Sequence, residues 1–249
     1  MSLTKSVLLL ACSLLIIQTS SAEDPDKLEN LQVFPKDISK KELVTIMKTF
    51  TSGLGKRCNF CHVGEGTDEV PFIFAADTKN TKKTARAMIL MMRAINDQYL
   101  KNLPPGDEPR ISVTCATCHH GQARPESIEN ILRAELNSKG IDSAIQKYRG
   151  LRTQFYGGDS YDFTAKPLNR VAEELMDNNK LPESLALLKL NDEFHQQSAW
   201  SELLTGDAYA KSGMKEEALA HYRKSSELDP QDVFAKKKIE ELTASDKPQ

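Results

Sequence analysis

Apolar and polar positions alternate along most of the chain with the period of an α-helix. In the first such segment, apolar residues recur three and four positions apart after a capping box of Ser39 and Glu42. Gly53 and Gly55 would loosen the end of that helix. Residues 81–100 have the same spacing and predict a second helix. Its apolar face carries Thr84, Met88, Met91, Met92, Ile95 and Tyr99.

The second half of the chain contains a sequence repeat. Between residues 168 and 232 the sequence is similar to itself at a period of 34 residues, so that Ala172 corresponds to Gly206 and Leu188 to Tyr222. Small residues where helices would cross, with larger residues between them, resemble the tetratricopeptide repeat. This pattern predicts pairs of antiparallel helices.

The helical hairpins extend beyond the clearer repeats. Residues 126–155 form an earlier hairpin that we interpret as a degenerate copy, and residues 233–242 predict a polar capping helix. The predicted fold is therefore all-α, with tetratricopeptide-like hairpins over residues 126–249. Such repeats normally present a groove for a protein partner. A short array that only covers the preceding domain is the alternative.

The first 22 residues have the features of a secretory signal peptide. Lys5 provides the positive region, residues 7–17 are apolar, and small residues up to Ala22 suit signal peptidase. The apolar run is too short to span a bilayer, so the mature protein is expected to be exported and not to cross the membrane. Too few apolar residues precede Cys12 for a lipoprotein signal, and we expect no lipid anchor there.

The cysteines carry the main chemical signal. Of five cysteines, Cys12 would leave with the signal peptide. The others form two Cys-x-x-Cys pairs, and a histidine directly follows each pair. This is the attachment motif of c-type haem. The residues are Cys58, Cys61 and His62 in the first motif, and Cys115, Cys118 and His119 in the second.

The spacing suits haem better than it suits the alternatives. Two thiols three positions apart can each form a thioether to the porphyrin, and the next histidine then lies under the iron. Two disulfides would be the ordinary expectation for an exported protein, and a thioredoxin-like pair would lack the histidine. Zinc would require both pairs to converge on one ion. We therefore predict two covalently bound haem c groups.

Four segments, residues 31–35, 54–62, 85–96 and 113–121, resemble the cytochrome c subunit of photosynthetic reaction centres. The resemblance covers residues 30–125, which we take as a dihaem domain. In that family, a helix bearing the axial methionine, a turn and the attachment motif make one haem unit. The resemblance implies Met47 as the distal ligand of the first iron and Met88 as that of the second. Met91, one helical turn away, is the alternative to Met88.

The chain departs from that family at two points. It has attachment motifs for two haems where the reaction-centre subunit carries four, and His120 stands where arginine is common. The resemblance therefore supports the haem architecture more strongly than docking on a reaction centre.

Charge separates at the same boundary. Residues 30–125 hold 14 Lys and Arg against 9 Asp and Glu, and residues 126–249 hold 17 against 22. These opposite charges suit attraction between the two domains or steering of a redox partner, with solvated surface as the ordinary explanation. The net charge of −2 gives no support for nucleic-acid binding.

Histidine and methionine on both irons would leave no coordination position for oxygen or peroxide. We therefore expect electron relay between a donor and an acceptor redox protein, not an enzymatic reaction, and the resemblance implies a membrane-bound complex as one partner. Two alternatives stay open. One is a dihaem peroxidase, and the other is a tetratricopeptide interaction protein whose haems sense redox state or are structural.

Overall fold

The computed structural model describes residues 28–106 and 109–244, so the predicted signal peptide and Cys12 lie outside the described residues. Within these ranges the chain is helical and has no β-strand, apart from one isolated bridge between Val63 and Ile73. The all-α prediction is confirmed for this part of the chain. None of its helices has the length and apolarity needed to cross a membrane.

The helices of the first region are α1 (Lys40–Leu54), α2 (Asn80–Ala94) and α3 (Cys115–His119). Ser39 caps α1 by accepting a hydrogen bond from the Glu42 backbone N at 3.2 Å. Gly55 ends α1 with a φ of 60°, the left-handed conformation that favours glycine. The sequence therefore predicts both the capping residue that begins α1 and the glycine that ends it.

The second predicted helix is less regular than its pattern suggests. α2 ends at Ala94, and the chain continues through a π-helical turn (Ile95–Tyr99) and a 3₁₀ turn (Leu100–Asn102). Asn96 lies in this π turn and exchanges two 2.8 Å hydrogen bonds with the backbone of Val113. The widened turn thus places an amide against the segment that leads into α3.

One face of α2 is covered by the chain that precedes α1. Arg86 donates to the carbonyl of Asn30 at 3.3 Å, and Arg93 donates to the carbonyl of Val33. Phe34 in turn stacks on Phe50 of α1, with ring centroids 6.4 Å apart. Residues 28–34 therefore join α1 to α2.

The second region consists of helical hairpins. The helices are α4 (Ile128–Lys139), α5 (Ile141–Phe155), α6 (Ala165–Asp177), α7 (Leu181–Phe194), α8 (Ala199–Lys211), α9 (Lys215–Leu228) and α10 (Val233–Ala244). Consecutive helices pack as pairs, and α4, α6 and α8 lie side by side. Their inner faces form one apolar core, in which Leu132, Tyr148 and Leu187 are fully buried.

A polar cluster is buried between the hairpins. The Asn191 side-chain amide donates to Asn169 Oδ1 at 2.6 Å, to the Ala165 carbonyl at 3.0 Å and to Ser201 Oγ at 3.2 Å. These hydrogen bonds specify how α6, α7 and α8 meet, and they offset only part of the desolvation of the cluster, because Asn169 Nδ2 and Asn191 Oδ1 are buried without a hydrogen-bond partner.

Candidate haem-attachment site

The first attachment motif forms a tight turn. A 3₁₀ turn (Cys58–Phe60) starts soon after α1, and the backbone N–H groups of Cys61 and His62 both donate to the Cys58 carbonyl, at 3.2 and 2.9 Å. The turn brings the two cysteines and the histidine into one short segment. Cys58 is exposed and Cys61 is half-buried.

A loop folds back over His62. Ile73 N donates to the Val63 carbonyl at 2.9 Å, and the Phe74 ring meets the imidazole edge-on with centroids 5.0 Å apart. His62 Nδ1 is buried and makes no hydrogen bond within the described part of the chain. Burial, and after it the charge of Lys82, lowers the pKa of His62.

Lys82 holds this loop in place. It is buried on α2, donates to the carbonyls of Phe74 and Ala76 at 2.7 and 2.8 Å, and pairs with Asp77 at 2.9 Å. Arg86 lies 2.7 Å from the same carboxylate. Because Lys82 and Arg86 are one helical turn apart, α2 contacts both the loop and residues 28–34 through this pair of side chains. The hydropathy pattern does not predict that Lys82 holds this loop, since a lysine at this position of a helix is expected on the surface.

The second motif lies on α3. The Thr114 and Thr117 side chains form a capping box at its start, and His120 ends it with a φ of 47°. His119 Nδ1 lies 2.7 Å from the Gln122 carbonyl oxygen. A neutral imidazole in this position donates from Nδ1 and leaves Nε2 as the acceptor available to a metal. Gln122 thus positions the His119 ring through its backbone carbonyl, and the attachment motif does not include it.

Burial affects the ionisation of two of the thiols. Burial raises the pKa of Cys61, against an opposing hydrogen bond from Thr81, and burial also raises the pKa of Cys115. Among the described residues the four cysteines form no disulfide, and no cluster of three or more His, Cys, Asp or Glu side chains is arranged to hold a metal ion. The convergence that the zinc alternative requires is therefore not seen there.

The predicted methionine ligands lie on both helices that precede the motifs. Met47 is half-buried on α1. Met88 and Met91 are 43% and 51% exposed on α2, on the side opposite Lys82 and Arg86. Their similar exposure does not separate the two candidates, so the choice between Met88 and Met91 stays a prediction.

The residues around the motifs fit a large apolar group. Exposed apolar side chains are concentrated in the same region, and a haem is the kind of group that such surfaces bury. They are Val44, Val70, Ile73, Phe74, Met88, Leu90, Met91 and Tyr99. Together with the oriented His119 imidazole, these exposed apolar side chains are compatible with covalent haem.

The fold and these motifs place the chain among the c-type cytochromes. It belongs to the photosynthetic reaction centre cytochrome c subunit family, whose sequence model matches residues 10–185. The match continues past residue 125, through α4, α5 and α6 and into α7. The resemblance seen in the haem motifs is thus confirmed and extends further along the chain.

Several known proteins are similar to this chain, including the following three. The photosynthetic reaction center cytochrome c subunit of Thermochromatium tepidum is 27% identical over 175 residues, 70% of this chain and 39% of that protein. The subunit of the same name from Roseobacter denitrificans is 32% identical over 105 residues, 41% and 26% of the two chains. Cytochrome c-554 of Chloroflexus aurantiacus is 31% identical over 102 residues, 41% and 22%. The alignments span less than half the length of each relative.

Proposed function

We propose that this protein is an exported dihaem c-type cytochrome that relays electrons between two redox proteins. Family membership supports the c-type cytochrome role, and the two Cys-x-x-Cys-His motifs support the haem count. The observation that carries the proposal is the hydrogen bond from His119 Nδ1 to the Gln122 carbonyl. It fixes the tautomer in which the other ring nitrogen is free to bind iron.

The residues have defined roles in this proposal. Cys58 and Cys61 would bind the first haem and Cys115 and Cys118 the second, with His62 and His119 as proximal ligands. Each bound haem supplies a one-electron redox couple. The protein's part is to orient the imidazoles, exclude water with the apolar surface around the motifs and hold the haems at a fixed spacing.

The haem count can be measured directly. The exported, mature holoprotein should show a mass increase of two haems and an N-terminus near Glu23. A double variant, Cys115→Ala with Cys118→Ala, should retain one. A wild-type mass with a single haem, or none, contradicts the proposal.

The axial ligands are tested by single substitutions. Met47→Ala and Met88→Ala should each remove the sulfur-to-iron signature of one haem and lower its reduction potential, because thioether ligation favours the reduced iron. Met214→Ala, in the turn between α8 and α9, is the control and should change neither haem. If Met91→Ala has the effect expected of Met88→Ala, the assignment of the second ligand is wrong.

The peroxidase alternative requires an iron that can open a coordination position. Rapid peroxide turnover by the purified holoprotein would favour it, and fully low-spin spectra without turnover would favour the relay. The same preparation therefore separates the two functions.

The hairpin region is proposed to be a tetratricopeptide-like domain over residues 126–249. Helix starts recur 34 residues apart at Ala165, Ala199 and Val233. A side chain late in the second helix of each hairpin reaches the same backbone position: Asn191 to the Ala165 carbonyl at 3.0 Å, and Ser225 to the Ala199 carbonyl at 2.9 Å. Equal spacing and equal contacts favour a repeat.

The partners are proposed from the relatives and the charge. Two relatives are named as reaction center subunits, so a membrane-bound redox complex is the proposed partner of the haem domain. The hairpin domain would bind a second protein. Crosslinking of the whole holoprotein in its own membranes, followed by mass spectrometry, should link lysines of residues 30–125 to such a complex. Links confined to the hairpins would favour the interaction-protein alternative.

A further inference from the structure

Each helix that precedes an attachment motif contacts the other motif: α1 contacts the second, and the start of α2 contacts the first. The last turn of α1 lies against the second motif, although α1 leads into the first. Gly53 is buried there, and a Cβ on it would lie 3.0 Å from Ala116 N and 3.1 Å from Cys115 Cβ. Because glycine has no side chain, the backbone of the second motif can approach α1 this closely.

A hydrogen bond strengthens this contact near the second proximal histidine. Gly121 N donates to the Gly53 carbonyl at 3.0 Å. A Cβ at Gly55 would overlap the Gly121 carbonyl oxygen. The next residue, Gln122, supplies the carbonyl that pairs with His119 Nδ1. α1 therefore fixes the segment that orients His119.

The start of α2 contacts the first motif in the same manner, although α2 leads towards the second. Thr81 Oγ1 donates to the Phe60 carbonyl at 2.5 Å, and Lys79 Nζ donates to the Asn59 carbonyl. Asn59 and Phe60 are the two residues between Cys58 and Cys61. These hydrogen bonds hold the part of the chain that sets the spacing of the two thiols.

We propose that each attachment motif is positioned by the helix of the other haem unit, through Gly53 for the second motif and Thr81 for the first. Both are positioning residues, since neither is among the proposed ligands. The inference rests on the proposed function, because it concerns motifs that carry haem. Its consequence is that a change in one unit's helix alters the surroundings of the other unit's haem.

The test measures each haem of the complete holoprotein separately. Gly53→Val and Thr81→Val are compared with two controls on α1. Ser52→Ala changes the exposed neighbour of Gly53, and Thr49→Val removes a hydroxyl that bonds only within its own helix. The readouts are the electron paramagnetic resonance signal and reduction potential of each haem. Variants lacking one cysteine pair, each retaining one haem, assign the signals.

We expect Gly53→Val to shift the signals of the second haem more than those of the first, and Thr81→Val to do the reverse. Gly53→Ala, which introduces only a tight contact, should give a smaller shift of the same haem if Gly53→Val does not accumulate. Changes confined to each helix's own haem, equal changes in both, or changes no larger than those of the controls would overturn the inference. A wild-type protein with fewer than two haems would instead overturn the proposed function.

Discussion

Residues 28–125 and the hairpin region, residues 126–244, distribute their apolar side chains in opposite ways. Among the described residues of the first region only Leu31 and Ile89 are buried apolar side chains, whereas the hairpins bury a continuous set that includes Leu132, Tyr148 and Leu187. Most of the exposed large apolar residues lie in the first region. One region thus forms its core from its own side chains, and the other does not.

The first region is held by polar contacts to the backbone instead. Arg93 and Asn96 bond to carbonyls that are 60 and 17 residues away, and Lys82 bonds to carbonyls of the loop that precedes α2. Such bonds define a shape, but each adds only about 1–3 kcal/mol net to stability. We therefore expect bound haem to supply the apolar core of this region, much as a metal ion completes a small metal domain.

Removal of the haems should give the largest effect. In a quadruple variant with all four motif cysteines changed to alanine, residues 28–125 should lose most of their amide protection, because their apolar surface would have nothing to pack on. The hairpins should keep theirs. Hydrogen exchange with mass spectrometry measures both regions in one sample. Equal amide protection of the first region with and without haem would show that this region does not need haem to form its core.

A core substitution in the hairpins should act on stability and leave the haems unchanged. Leu187 is fully buried, and Leu187→Ala should lower the free energy of unfolding by about 3 kcal/mol through lost burial and a cavity. Urea unfolding followed by circular dichroism measures this, with haem spectra as the second readout. The exposed Met214→Ala should change stability by less than about 0.5 kcal/mol. A loss of haem ligation in Leu187→Ala would show that the two regions share one core.

Replacing two glycines of the hairpins by alanine should change the stability of the protein in opposite directions. A Cβ at Gly206 would collide with the Tyr222 ring, at 2.5 Å from two ring atoms, whereas a Cβ at Gly150 meets nothing within 4 Å. Gly206→Ala should therefore destabilise by about 1–3 kcal/mol. Gly150→Ala should stabilise by about 0.5–1 kcal/mol, because it restricts the unfolded chain. Thermal unfolding of both variants decides whether close packing defines this region.

The smallest effect is expected from pH in the first region. Arg86, and after it Asn30 and Lys82, hold the pKa of Asp77 well below its usual range. A carboxyl with a lowered folded-state pKa stabilises fully above its unfolded pKa of about 4, and the stabilisation is lost as pH falls further. The melting temperature of the holoprotein should drop below about pH 4, less steeply in Asp77→Asn. Asp68→Asn, an exposed change in the same loop, should match wild type.

Much of the candidate haem-attachment site could be predicted from residues close together in the sequence, for a physical reason. A Cys-x-x-Cys-His motif acts over five consecutive residues, so its chemistry does not depend on distant contacts. The same holds for Ser39 and Gly55, which begin and end α1 through bonds to nearby residues. The 34-residue repeat is also readable, because each hairpin is a local unit.

Other features depend on how the chain folds or on backbone atoms, and could not be predicted from side-chain patterns. Lys82 has an ordinary helical position, and only the fold shows that it is buried under the loop that covers His62. Gln122 acts through its backbone carbonyl, which no side-chain pattern reports. The π turn after Ala94 satisfies a contact between Asn96 and Val113 that helical periodicity does not contain.

By itself the sequence determined the class of protein and its all-α character, and it predicted the attachment cysteines and histidines and the repeat, since each is a matter of spacing between near neighbours. Only the tertiary structure decided that α1 lies against the second motif and α2 against the first, and that Lys82 is buried beside the loop that covers His62. Those properties follow from which segments meet in space. Gly53 and Gly121 are close because the chain returns, and no local pattern encodes that return.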